Sequence, residues 1–285
     1  MKKILKKLFN STLILFQSLI SVISVLIFSS FNLSRKNKKQ SFNDNQECFI
    51  LGNGPSLKQE LTENFDFFLA RNKDILCVNL LCEDPVFYEL KPSYYIITDE
   101  GFWNETNDER ILNIQKQFVL KMQSVNWDFT LFIPNDGKTY FENKLNNKFV
   151  KICYYNRTPV NGFKCIRHFL YRKDLGMPAP HNVLIAAIFV FINMGYKNIN
   201  VYGADHSWVA DLYVDENNDL WSYQNHFYDD KKVAFKLKKG SLYTGLQGIV
   251  KAFESYQLLR EYSESIDAKI INRTKKSFLD IFEYK

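Results

Sequence analysis

The chain has 285 residues, of which 46% are apolar and 24% charged; this is globular composition and excludes a wholly disordered protein. Eleven Gly and seven Pro exclude collagen-like or proline-rich character, and no period of roughly 20–50 residues recurs, which excludes solenoids and propellers. The net charge of +6 is carried by the N-terminus: residues 1–40 hold eight Lys and Arg and no acidic residue, and removing those eight from 37 leaves 29 basic against 31 acidic residues in 41–285. A nucleic-acid reader carries its basic surface on the folded domain, and here the body is close to neutral, so no nucleic-acid partner is expected. Cys48, Cys77, Cys82, Cys153 and Cys165 lack Cys-x-x-Cys spacing. Cys48, Cys77 and Cys153 sit in apolar runs, which predicts buried thiols there, and the set as a whole suits a reducing compartment rather than disulfides or a zinc site.

In chain order, residues 11–32 (STLILFQSLISVISVLIFSSFN) come first, apolar but salted with Ser and Gln and flanked by Lys on both sides. A secretory signal lacks a good continuation after Ser29 and Ser30. A spanning helix has roughly the required twenty residues. In a helix, Ser11, Gln17, Ser18, Ser21 and Ser24 share one face, as in a helix lying in the membrane interface, and the flanking basic clusters suit an anionic cytoplasmic leaflet. Membrane attachment at the cytoplasmic face is therefore expected, with spanning and lying flat both open. Residues 34–46 read as a polar linker, dividing the chain into a membrane-associating segment at 1–40 and a body at 41–285.

From residue 47, short apolar runs alternate with longer mixed segments, the signature of an α/β domain with a mostly parallel, open, Rossmann-like sheet flanked by helices. Strands are predicted at Cys48–Leu51, Ile75–Val78, Tyr94–Thr98, Thr130–Ile133, Phe149–Ile152, Asn200–Tyr202 and Lys269–Ile271. Helices are predicted at Ser56–Glu63, Asp108–Gln117, Asn182–Met194 and Leu246–Ser265, the third apolar on nearly every face, central, and stopped by Gly195. Ligands of such sheets sit at the carboxyl ends of the strands. There the sequence places Gly52-Asn53-Gly54-Pro55-Ser56, Asn79, Asp99 and Gly203-Ala204-Asp205-His206-Ser207.

A strand followed by Gly-x-Gly and a helix opening with Pro and Ser suits a phosphate at a helix N-terminus, although a plain tight turn has the same residues. The dinucleotide fingerprint lacks its third Gly, Leu57 standing there, and no P-loop Lys follows. The run Phe49-Ile-Leu-Gly-Asn-Gly-Pro-Ser-Leu57, then Val78-Asn79, Lys91-Pro-Ser-Tyr-Tyr-Ile-Ile-Thr-Asp99, the stretch from Met194 to Trp208 and Ile271-Asn-Arg-Thr-Lys-Lys-Ser277 resembles the MptE-like family. That family is named after 6-hydroxymethylpterin diphosphokinase and includes motility-associated-factor glycosyltransferases and bacterial surface-polysaccharide proteins. The motifs are also similar to those of bacterial family-42 sialyltransferases, whose Gly-Asn-Gly-Pro-Ser loop helps bind the CMP part of the donor. The resemblance implies that Gly52, Asn53, Gly54, Pro55 and Ser56 form a nucleotide loop, that Asn79 faces the donor, and that Asp99, His181, Asn182 and Gly203 line its pocket. Asp99 replaces an Asn of the sialyltransferases, and His181-Asn182 replaces their Ser-Gly, which leaves the donor sugar open.

Of the four histidines, His206 sits at a strand end beside Asp205, and His181 is a cap or a ligand contact. His226 lies in residues 208–241, a polar insertion rich in aromatics that reads as a lid or as a surface subdomain. Transfer to a hydroxyl needs a proton acceptor, a role an imidazole fills; His226 ranks first as base, then His206 with Asp205 beside it. Tyr228 and Tyr243 are candidate partners of a leaving phosphate. Asp215–Asn218 lacks the spacing and terminal Glu of a calcium loop, so no metal is expected, and the nucleotide sugar is a substrate rather than a cofactor. The expected activity is transfer of a sugar, from a CMP-activated acidic donor by preference, to a surface glycan or glycolipid precursor. The alternatives are pyrophosphoryl transfer to a pterin and a non-catalytic nucleotide-binding scaffold; a homo-oligomer is compatible with each.

Overall fold

The computed structural model describes residues 2–32, 47–70, 73–224 and 233–285. Helix α1 (Lys2–Phe28) precedes strand β1 (Glu47–Leu51), helix α2 (Ser56–Leu69), β2 (Asp74–Val78), α3 (Val86–Leu90), β3 (Tyr94–Ile96), α4 (Glu109–Ser124), β4 (Phe129–Pro134), α5 (Lys138–Lys144) and β5 (Val150–Tyr155). There follow α6 (Lys164–Arg172), α7 (Val183–Met194), β6 (Asn198–Tyr202), β7 (Leu212–Val214), β8 (Leu220–Gln224), β9 (Val233–Lys236), α8 (Leu242–Glu264), β10 (Lys269–Asn272) and β11 (Glu283–Tyr284). The main sheet has eight strands in the order β11-β10-β6-β1-β2-β3-β4-β5, and every pairing in it is parallel. The expected open α/β architecture is what forms.

Continuous apolar runs make these strands because both faces of the sheet are covered. Along β1, Cys48 and Ile50 point into a core with α7, α8 and part of α6, while Phe49 and Leu51 point into a second core with α2, α3 and α4. Helix α7 is apolar all round because it lies under the sheet centre, and Gly195 ends it in a left-handed conformation whose N–H reaches Ile192 O. Asn182, not His181, caps its start: the short amide sits in extended backbone and its Oδ1 accepts from Leu184 N and Ile185 N, within reach of a two-bond side chain.

Two regions differ from the sequence reading. Within 208–241 the chain builds a separate three-stranded antiparallel sheet, β7-β8-β9. Its aromatics stack on one another, Tyr213 on Trp221 and Tyr223, and Asp215–Asp219 is its hairpin turn. The N-terminal segment packs on the body by its serine face. Ser18 and Ser21 are buried, Phe163 N donates to Ser18 Oγ (2.8 Å), Asn161 N to Ser21 Oγ (2.9 Å), and Ser29 Oγ donates to Leu175 O (2.6 Å). None of the five cysteines forms a disulfide: Cys48, Cys77, Cys82 and Cys153 are buried and Cys165 is exposed.

Candidate functional site

β1 has β2 on one side and β6 on the other, so strand order switches at the β1/β6 junction. The Gly-Asn-Gly-Pro-Ser turn leaves β1 there and is tied to the end of β6: Gly52 N donates to Tyr202 O (2.8 Å) and Gly54 N to Gly203 O (2.9 Å). The two loops approach so closely that a Cβ on Gly52 would stand 2.6 Å from Gly203 O, and Gly203 itself has φ +64, a conformation open to glycine at no steric cost. The start of α2 is occupied from within the chain. Ser56 Oγ donates to Asp205 Oδ2 (2.7 Å) and Ser56 N to Oδ1 (3.3 Å), so a carboxylate takes the place an anion would take at a helix N-terminus. Burial raises the Asp205 pKa against the hydrogen bonds from Ser56. A Cβ on Gly54 would collide with that carboxylate.

The loop after β6 is held from its other side by the C-terminal motif. Thr274 Oγ1 accepts from Ala204 N (3.0 Å), Ser277 Oγ donates to Ala204 O (2.5 Å), and Phe278 N donates to Asp205 O. This anchoring fixes His206 at φ +53 with a buried ring. His206 Nε2 shares a hydrogen bond of 2.7 Å with the Tyr256 hydroxyl, which donates to Asn182 Oδ1 (2.9 Å). Desolvation pushes the His206 pKa down to about 4, so the imidazole is neutral near pH 7 and a weak proton acceptor. It positions Tyr256 and, through it, the Asn182 amide.

Asn79 follows β2 in left-handed backbone, φ +47, with its N–H on Ile96 O and its carbonyl accepting from Tyr95 (2.7 Å). Asn tolerates this left-handed region better than most residues, so the turn is held without marked strain. Asn53 Oδ1, Asn79 Oδ1 and Asn182 Nδ2 are buried and have no hydrogen-bond partner. All three belong to the carboxyl edge around β1, at the ends of β1 and β2 and at the start of α7, which packs across both strands. Buried amide atoms rarely stay unpaired, and three at one edge mark the candidate site.

The remaining candidates are placed as follows. Asp99 is exposed and caps the turn Glu100–Phe102 by accepting from Gly101 N (2.7 Å). His181 is exposed beside the α7 cap. Tyr243 stands in solvent on the first turn of α8, its hydroxyl accepting from Gln247 Nε2. His226 and Tyr228 lie outside the described residues. Among the described residues no group of three or more His, Cys, Asp or Glu side chains is gathered for a metal ion.

Sequence reasoning passed over two groups. Tyr256, from the middle of α8, links His206 to Asn182. Arg157, after β5, donates to both carboxylate oxygens of Asp136 and to Glu100, and lies over the Trp103 ring. Neither has a local signal, since Tyr256 lies fifty residues from His206 and Arg157 fifty-seven from Glu100. No protein-family model matches the chain, and no curated protein matches it.

Proposed function

We propose that this protein is a glycosyltransferase that moves a sugar from a nucleotide-activated donor, a CMP-linked acidic sugar by preference, to a surface glycan or glycolipid precursor at the cytoplasmic face of a membrane. The observation that carries the proposal is the set of unpaired buried amide atoms of Asn53, Asn79 and Asn182 at the strand-order switch, where open α/β sheets take nucleotides. Amide groups of this kind read a base and ribose by hydrogen bonds, and buried amides left unmatched together are uncommon where only folding is served. Asp205 and Ser56 shape the loop rather than hold phosphate, because each is bonded to the other. The donor phosphate therefore lies off the α2 N-terminus unless Asp205 moves.

In the transfer, an acceptor hydroxyl oxygen attacks the anomeric carbon and the bond from that carbon to the phosphate oxygen breaks. The nucleoside monophosphate departs with the bonding electrons, and the hydroxyl proton passes to a base. His226 fills that role in the proposal; His206, neutral and hydrogen-bonded to Tyr256, holds the donor side of the pocket in shape.

Thermal-shift measurements on the full chain with CMP, UDP, GDP and ATP test this reading. Stabilisation by CMP is the expected result, since a ligand that binds only the folded state raises its stability by mass action. Stabilisation by ATP alone would turn the assignment to pyrophosphoryl transfer, and indifference to all four would overturn nucleotide binding altogether.

A further inference from the structure

Helix α1 presents two opposite faces. Ile14, Gln17, Ser18, Ser21 and Val25 face the body, at steps of three and four residues, while Phe16, Leu19, Ile23, Leu26, Ile27 and Phe28 are exposed. A contiguous apolar surface of this length is far beyond what soluble monomers leave in water. The body-facing side is built to fit. Gly162 has φ +98, and a Cβ there would meet the Ser18 backbone at 2.6 Å, so glycine is what lets the helix seat. The attachments bracket α6: Ser18 meets Phe163, immediately before its first residue, and Ser29 meets Leu175, just past its last. Helix α1 therefore runs alongside the stretch containing α6. On α6, Arg167, His168 and Tyr171 are buried, and Cys165, Phe169 and Arg172, at helical steps of four and three, are exposed together with Lys173.

We propose that α1 does not cross the bilayer but lies along its surface, and that α1 and α6 form one composite face that docks on anionic lipid. Three observations carry this. The docked part, Ser18 to Ser30, runs against Asn156, Asn161 and the polar loop before α6, which cannot enter hydrocarbon. The stretch ahead of Ile14, residues 2–13, is about 18 Å long at ~1.5 Å per residue, short of a hydrocarbon core of about 30 Å. Charge complements an anionic leaflet: residues 1–40 carry eight basic and no acidic residues, and α6 adds Arg172 and Lys173 beside Phe169, an amphipathic pairing of cations with an apolar insert. This inference stands apart from the proposed activity, since it uses none of the residues at the carboxyl edge.

Cys165 is the exposed cysteine, the other four being buried, so the full-length chain can be labelled there with a polarity-sensitive fluorophore. With phosphatidylglycerol-containing vesicles the protein should float and the probe should shift to the blue; with phosphatidylcholine vesicles both responses should be weaker. Arg172→Gln with Lys173→Gln should reduce partitioning onto the anionic vesicles about thirty-fold, at roughly five-fold per charge. An epitope placed before Met1 should stay accessible to added protease on the same side as the body. A protected epitope with an accessible body would mean a spanning helix and overturn the proposal. Flotation with a silent Cys165 probe would mean that α1 binds alone, and self-association without vesicle binding would mean that a second copy covers the face; either outcome also overturns it.

Discussion

Two polar clusters share the carboxyl edge of the sheet and are finished differently. Around β1, β2 and the start of α7, the amides of Asn53, Asn79 and Asn182 each keep one buried atom unpaired. Around the ends of β3, β4 and β5, Arg157 is matched by Asp136, Glu100 and the Thr98 carbonyl, and Thr98 Oγ1 is matched by Tyr155. Folding accounts for the charges of the second cluster, which meet one another, although the Nε1 of Trp103, whose ring Arg157 covers, is buried and unpaired there. In the first it is side-chain amides that stay incomplete, even where, as at Asn182, the amide oxygen is engaged by Leu184 N, Ile185 N and Tyr256. The difference makes the β1 side the candidate site, and each expectation below is a way to break or refine that assignment.

The largest effect is expected at His226. If the ligand on the β1 side is a sugar donor and His226 takes the acceptor proton, His226→Ala should lower kcat about 10²–10⁴-fold, the usual worth of a positioned base, with nucleotide affinity nearly unchanged. Steady-state kinetics with a CMP-sugar and isothermal titration with CMP separate the two quantities. Wild-type turnover in this variant, together with its loss in His206→Ala, would exchange the two roles despite the low basicity of His206.

Acid stability probes the packing behind the site. Desolvation lowers both His206 and His168 to about 4, below the ordinary value of about 6.5. Each is neutral in the folded chain and picks up a proton on unfolding. Their contribution is thus fully present above pH 6.5 and is lost as pH falls toward 4, by about 3 kcal/mol for each group. Denaturant unfolding in detergent between pH 7 and 4.5 should show this decline before most carboxylates titrate, and His206→Gln should remove about half of it. A flat profile over that window would mean that the imidazoles are not held neutral by the fold.

The unpaired amide of Asn182 can be tested without touching the helix it caps. Asp is as good an N-cap as Asn, so Asn182→Asp keeps the acceptor used by Leu184 N, Ile185 N and Tyr256 and replaces the free Nδ2 donor with a carboxylate oxygen, whose negative charge also opposes an anionic nucleotide. Thermal stability without ligand should hold, and CMP affinity should fall about ten-fold, as expected when one buried hydrogen bond is lost. An unchanged affinity would move the ligand away from α7.

How much of this was legible follows from what kind of information each feature needs. The main strands are marked by Val, Ile, Leu and Phe runs that require no knowledge of partners, and α7 by apolarity on all sides. The Gly-Asn-Gly-Pro-Ser turn is local too. That Asp205 closes it was not readable, because the pairing spans 149 residues. The serine stripe of α1 was visible as a helical period, but periodicity gives a face and not its destination; the stripe turned inward onto Asn161 and Phe163. Asn182 could have been recognised as the cap, since an amide directly before an apolar run is the stronger signal than the His one residue earlier. Strands β7 to β9 escaped notice because they are short, largely exposed and without a buried face to impose alternation.

The smallest effect is expected where the charges are already paired. The Arg157 side chain is 24% exposed and its partners Glu100 and Asp136 are 54% and 48% exposed, so solvent screens both ion pairs and each is worth at most about 1 kcal/mol. The guanidinium also lies 5.3 Å from the Trp103 ring centre, a contact of about 0.5–1 kcal/mol at an exposed site. Arg157→Met keeps much of the apolar stem against that ring and frees the two carboxylates into water, which they already touch. Stability should drop by about 1 kcal/mol, less in high salt, and the stabilisation produced by CMP should be the same as in the parent chain. A variant that folds normally but no longer responds to CMP would place Arg157 on the ligand, and the contrast between an open and a closed cluster would have to be redrawn.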